Sequence, residues 1–132
     1  MKQVISCTLA AMVALSVPVT ADAGGRYGYQ TVAINNTEFE VIPRSRRDVD
    51  GYWCAASDFA RRTLGAGWQQ RIYVQRGYGP SVTTGRKTAV QFSLTEPTNV
   101  AQQRSISAGF RPGYSMSVQG ANGRCSRRQI FD

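Results

Sequence analysis

The chain has 132 residues, with 16 lysines and arginines against 8 acids, a formal charge of +8 and no histidine. Without an imidazole the usual general base of serine and cysteine hydrolases is missing, and the three cysteines cannot by themselves complete an ordinary four-ligand zinc set. The length suits one compact domain, and the basic excess speaks to solubility and to polyanionic partners rather than to a particular fold.

Residues 1–23 read as an export signal: a positive start at Lys2, an apolar stretch from Val4 to Val19, and Ala21-Asp22-Ala23 as the small-x-small cleavage pattern. The stretch is about 16 residues long, short of the roughly 20 that a spanning helix needs. The expectation is therefore a chain cleaved near Ala23, periplasmic or secreted, with no transmembrane segment in the mature product. Removing residues 1–23 from 132 leaves 109, with 15 bases, 14 of them arginine, and 7 acids. Cys7 departs with the signal, which leaves Cys54 and Cys125 as a pair expected to be a disulfide in an oxidising compartment. Closing a loop of that length is worth about 4 kcal/mol in the chain-entropy model.

In chain order, residues 24–28 form a glycine-rich leader, and residues 29–34 and 37–42 then make a hairpin around Asn35-Asn36. Phe39 and Val41 alternate with Glu38 and Glu40, so both glutamates are expected on a solvent face, and Pro43 ends the strand. A charged connector over 44–51 leads into an amphipathic helix over about 52–64. Its stripe is Tyr52, Ala56, Phe59 and Thr63, its expected N-cap is Asp50, Asp58 is spaced to pair with Arg61 or Arg62, and Gly65 closes it. Strands are predicted over 70–76, 88–94, 105–110 and 114–118, with a turn at Arg111-Pro112-Gly113. Residues 120–128 read as a loop held by Cys125, and Ile130-Phe131 as a final apolar pair. The predicted fold is one α+β domain over 29–132: a small antiparallel sheet of about five or six strands, one amphipathic helix and one disulfide.

Several motifs fail on inspection. The run from Gly79 to Thr88 has five residues between its glycines and Arg86 before Lys87, so it is not a P-loop. What remains is a ten-residue loop, 77–86, rich in hydroxyl and backbone donors beside two cations, either an anion site or an exposed connector. Asp48-Val-Asp50-Gly51 lacks the later ligands of a calcium loop and reads as a helix cap. Glu38 and Glu40 have no neighbour to split their acidities and read as a charged sheet face. Lys87 has Thr84, not serine, three residues before it, so a serine-lysine pair is absent there. Cys54, in the first turn of a helix, would be nucleophilic if free; with Cys125 available it reads as a staple. Trp53 and Trp68, with Tyr27, Tyr29, Tyr73 and Tyr78, either form an aromatic stacking surface or close the core at the two helix ends.

The segments Gly51-Tyr-Trp-Cys-Ala-Ala-Ser-Asp-Phe-Ala-Arg-Arg62, Arg71-Ile-Tyr-Val74 and Pro80-Ser-Val-Thr-Thr-Gly-Arg86 resemble a set of uncharacterised small exported bacterial proteins, over residues 51 to about 95. The resemblance implies an envelope or secreted location and carries over no catalytic residue.

The functional expectation is a non-enzymatic binding module, with no cofactor and no metal. It would recognise an anionic envelope component, such as an anionic glycan or lipid head group, through Arg76, Arg86 and Lys87. A module for an envelope-protein partner is the alternative, nucleic acid is disfavoured, and an enzyme using only arginines and carboxylates comes last.

Overall fold

The computed structural model describes residues 28–44, 48–98 and 110–131, the side chains of 127–131 excepted. The expectations for the signal, most of the leader, most of the 105–110 strand, and the side chains of Ile130 and Phe131 lie outside the described residues. Chain order is β1 (Tyr29–Ala33), β2 (Glu38–Pro43), α1 (Val49–Arg62), β3 (Arg71–Gly79), β4 (Ala89–Ser93), β5 (Ser115–Ser117) and α2 (Val118–Phe131). The five strands form one antiparallel sheet in the order β1-β2-β4-β3-β5. The fold is α+β, as the sequence predicts, with a second helix added.

The alternation in the strands sets the layers. In register across β2, β4 and β3 stand Phe39, Phe92 and Val74, and in the next row, past a register shift in β3, stand Glu40, Gln91 and Arg76. The first row faces α1 and builds the core with Tyr29, Val41, Tyr52, Trp53, Phe59, Ile72, Val90 and Phe110. The Phe39 ring lies 4.8 Å from that of Phe59 and 5.7 Å from that of Phe92, and Trp53 meets Phe92 edge-on at 5.0 Å. Trp53 and Tyr29 are thus core residues. Trp68 stands outside at 42% exposure, so the two tryptophans have different roles.

Between β1 and β2 the turn is longer than a two-residue hairpin. Asn35 Oδ1 accepts from the backbone N–H of Thr37 at 2.9 Å and of Glu38 at 2.8 Å, an Asx-type closure. At the start of α1 the cap is Asp48 rather than Asp50: its carboxylate accepts from Gly51 N at 3.0 Å while its backbone is extended. The reason lies in β1, because the buried Tyr29 hydroxyl donates to Asp48 Oδ1 at 2.9 Å and accepts from Asp48 N at 2.9 Å. Asp50, two residues further on in the first turn, instead pairs with Arg124 of α2 at 2.7 Å. Downstream, Asp58 pairs with Arg62 at 3.1 Å, and Gly65 takes the left-handed conformation, φ 74°, beyond the helix end.

The clearest correction is α2, expected as a loop. Two glycines, Gly120 and Gly123, each cost roughly 1 kcal/mol of helix propensity against alanine, and this hides the pattern. Packing overrides propensity here. Val118 and Ala121 are fully buried in the common core, and Cys125, one turn further on, is bonded to Cys54 with the two Cα atoms 4.9 Å apart. α1 is consequently buried nearly all round from Gly51 to Ser57, one side on the sheet and another on α2, instead of along a single stripe. Phe110 is buried in the core, and the turn after it forms as expected, with Tyr114 N donating to Arg111 O at 2.9 Å and Gly113 at φ 89°.

Candidate functional site

The sheet face away from α1 carries Glu40, Gln91 and Arg76 and is closed at one end by the loop joining β3 to β4. Two register shifts near the end of β3, between Val74 and Arg76 and between Arg76 and Gly79, add local twist and let the loop curl back over the sheet. Its own hydroxyls then fold it. Ser81 Oγ accepts from Thr84 N at 2.8 Å and from Thr83 N at 3.1 Å, Ser81 N donates to Arg86 O at 2.8 Å, and Gly85 supplies a positive φ of 78°.

Beneath this loop lies Glu40, fully buried and not on a solvent face as its alternation predicts. Its Oε1 accepts from Ser81 Oγ at 2.6 Å, Thr83 Oγ1 at 2.7 Å and Thr83 N at 3.3 Å. Its Oε2 accepts from Val82 N at 2.8 Å and Gln91 Nε2 at 3.1 Å. The loop is therefore an anion cradle whose anion is a side chain of the protein. Burial pushes the Glu40 carboxyl upward in pKa, but the bonds from Ser81, Val82, Thr83 and Gln91 together outweigh it and hold the group below its ordinary value. Such a carboxylate is a weak base. It does not activate the Ser81 hydroxyl, which is itself 8% exposed.

The three expected ligand cations stand in different settings. Arg76, half-buried, donates to Ala89 O and to its own neighbour Gly77 O, both at 3.2 Å. Burial draws its pKa down and the Glu40 charge draws it back up, so its charge acts on the cradle through space while its hydrogen bonds go to backbone carbonyls. Arg86 is exposed and its Nη2 donates to Pro43 O at 3.2 Å, which places the guanidinium at the end of β2 beside Arg44. Lys87 is exposed next to it. Arg86, Lys87 and Arg44 thus form a basic rim on the outside of the loop, while Arg76 lies on its inside. Arg46 and Arg47, which follow Arg44 in sequence, lie outside the described residues. At the tip of the same loop Val82 is 64% exposed.

A second concave feature lies at the other end of β3. Trp68, Gln69, Gln119 and Asn122 line an open cleft of about 350 Å³ between the α1–β3 connection and the first turn of α2. Arg61 stacks on the Trp68 indole with its guanidinium carbon 3.8 Å from the ring centre. Sequence reasoning missed this cleft because it placed no helix at 118. It missed the cradle because only the bulged end of β3 brings Ser81 and Thr83 over Glu40.

Among the described residues no group of three or more Cys, Asp and Glu is placed to hold a metal, and no helix is long and apolar enough to cross a membrane. Neither Asp48 nor Asp50 is left as a calcium ligand, one capping α1 and the other paired with Arg124. Comparisons with protein-family models, with curated proteins and with solved structures each find no match to the chain.

Proposed function

We propose that the protein is an exported, non-enzymatic binding module that holds an anionic polymer or head group against the rim formed by Arg86, Lys87 and Arg44. The observation that carries this reading is the Glu40 cradle. By satisfying the loop's inward donors, it fixes the backbone from Ser81 to Arg86 and presents the two outward cations from a rigid support, which lowers the ordering cost of binding. The Cys54–Cys125 bond between α1 and α2 supports residence in an oxidising compartment, as the export signal suggests. Histidine is absent from the chain, and among the described residues the one buried carboxylate, Glu40, is tied up in structure, so acid-base chemistry has no carrier there.

The test is binding of the full mature chain to heparin, as an anionic glycan, and to vesicles containing phosphatidylglycerol, as an anionic head group. Both affinities should fall steeply with added salt, and the double substitution R86Q/K87Q should lose most of the binding while remaining folded. Binding to both probes that is unchanged by R86Q/K87Q would end the proposal. A protein partner is the second reading, favoured by the exposure of Val82 at the loop tip. It calls for binding that survives high salt and is lost with Val82→Asp rather than with R86Q/K87Q.

A further inference from the structure

The geometry points to a second binding site, for a neutral saccharide of the flat, β-linked pyranoside type, in the cleft of Trp68, Gln69, Gln119 and Asn122. The lining has no charged side chain: it consists of one indole and three carboxamides. Its volume of about 350 Å³ falls at the lower end of small-ligand sites, roughly 300–1,000 Å³, room for one or two pyranose rings. Polar groups in an otherwise aromatic cleft fix orientation and specificity.

Three details select the ligand class. Arg61 covers one face of Trp68 and holds the plane of the ring, yet the residue stays 42% exposed, so a stacking surface remains beside the cleft. A pyranose whose substituents are all equatorial offers a flat C–H face to such a ring. Gln69 Nε2 donates to Gln119 Oε1 at 3.3 Å, which leaves Gln69 Oε1 as an acceptor and Gln119 Nε2 as a donor. A donor and an acceptor side by side suit neighbouring hydroxyls, each of which can donate and accept. Finally, the first N–H groups of α2 are already used: Val118 N donates to Gln70 O at 2.8 Å, Gln119 N to Trp68 O at 3.0 Å and Gly120 N to Ser117 Oγ at 3.0 Å. The helix start therefore offers none of its first three donors to an anion, and the cleft favours hydroxyls over phosphate or carboxylate.

Cellotriose and tri-N-acetylchitotriose serve as probes, titrated into the full mature chain with the side-chain amide and indole N–H signals followed by NMR. At least one sugar should shift the signals of Trp68, Gln69, Gln119 and Asn122 and leave buried Trp53 unmoved. Trp68→Ala should weaken binding about tenfold or more, the loss expected for one stacking ring, and Gln119→Ala should weaken it with the indole intact. Salt and R86Q/K87Q should leave the affinity unchanged, so loss of rim binding and loss of cleft binding are read separately. Absence of shifts with both sugars, shifts that persist undiminished in Trp68→Ala, or displacement of the sugar from these signals by heparin would each overturn the assignment.

Discussion

Replacing Glu40 by glutamine keeps the shape of the side chain and removes its charge, so it isolates what the cradle contributes. The carboxylate accepts five hydrogen bonds, three on Oε1 and two on Oε2. An amide offers one oxygen, and whichever way it turns at least two donors face an NH₂ group. Bonds to charged groups are worth about 1.5–3 kcal/mol each. Losing two, with part recovered by rotation of the Gln91 amide and by water, gives about 3–4 kcal/mol. At roughly 4 °C per kcal/mol for a domain of this size, Tm should fall by about 12 °C or more. The assay is guanidinium unfolding at pH 7 of the wild type, E40Q, R76Q and the double variant; because the Glu40 charge acts on Arg76, the double variant should cost less than the sum of the singles. The pH dependence has a fixed sign. Folding holds Glu40 below its ordinary 4.5, so its contribution is complete above about that value and is lost as pH falls through the folded-state pKa. The gap between wild type and E40Q should therefore stay constant from neutral pH down to about 4.5 and narrow below it. A gap below about 1 kcal/mol at pH 7, or one that widens in acid, would refute the cradle as a source of stability.

Reducing the Cys54–Cys125 bond, or replacing both cysteines by alanine, should cost about 4 kcal/mol; denaturant unfolding with and without reductant measures it, and loss of α2 signals before those of the sheet would locate it. Asp48→Ala removes the α1 cap and a partner of the buried Tyr29 hydroxyl, an expected cost of about 1–3 kcal/mol, while Asp50→Ala, which breaks a partly buried pair with Arg124, should cost about 1 kcal/mol. Gly51→Ala should destabilise by about 1–3 kcal/mol or more, because a Cβ there would run into the Tyr29 ring; an unchanged Tm would show that the ring moves freely.

The legible part of the fold was the part written in short-range periodicity. Phe39, Val41, Val90, Phe92, Ile72 and Val74 alternate in sequence and share the core face of the sheet, and the 3.6-residue pattern of Tyr52, Ala56 and Phe59 marks α1. The pairing of Cys54 with Cys125 followed from counting thiols. What alternation cannot tell is whether the second face of a strand meets water. Glu40 has the local pattern of an exposed residue, and it is buried because a loop more than forty positions away in sequence, at Ser81 to Thr83, folds over it. α2 was obscured for the opposite reason. Its apolar positions Val118, Ala121 and Cys125 do carry helical spacing, but two intervening glycines lower the propensity, and the helix is held by burial and the disulfide. In the candidate site, Arg86 and Lys87 were correctly placed on an exposed loop, whereas Arg76 sits at a bulge no sequence pattern marks.

The two proposed sites lie at opposite ends of β3, whose nine residues from Arg71 to Gly79 span roughly 25 Å at about 3.3 Å per residue. That distance exceeds the screening length of about 10 Å at 0.1 M salt, so the rim charges should exert little field at the Trp68 cleft. Substitutions that far apart, sharing no partner, should act additively on binding and on stability. Heparin retention should then follow salt and R86Q/K87Q but not Trp68→Ala or Gln119→Ala, and sugar binding should follow Trp68→Ala and Gln119→Ala but not salt or R86Q/K87Q. A sugar affinity that changed with R86Q/K87Q would mean that the two ends are coupled through the sheet. The coupling element would have to be β3 itself, whose bulged end carries Arg76 next to the Glu40 cradle and whose other end is tied by Gln70 O to the start of α2. E40Q offers the decisive comparison, since it loosens the loop without touching the cleft. If the ends are independent, E40Q weakens heparin binding by disordering the rim and leaves the sugar affinity at its wild-type value.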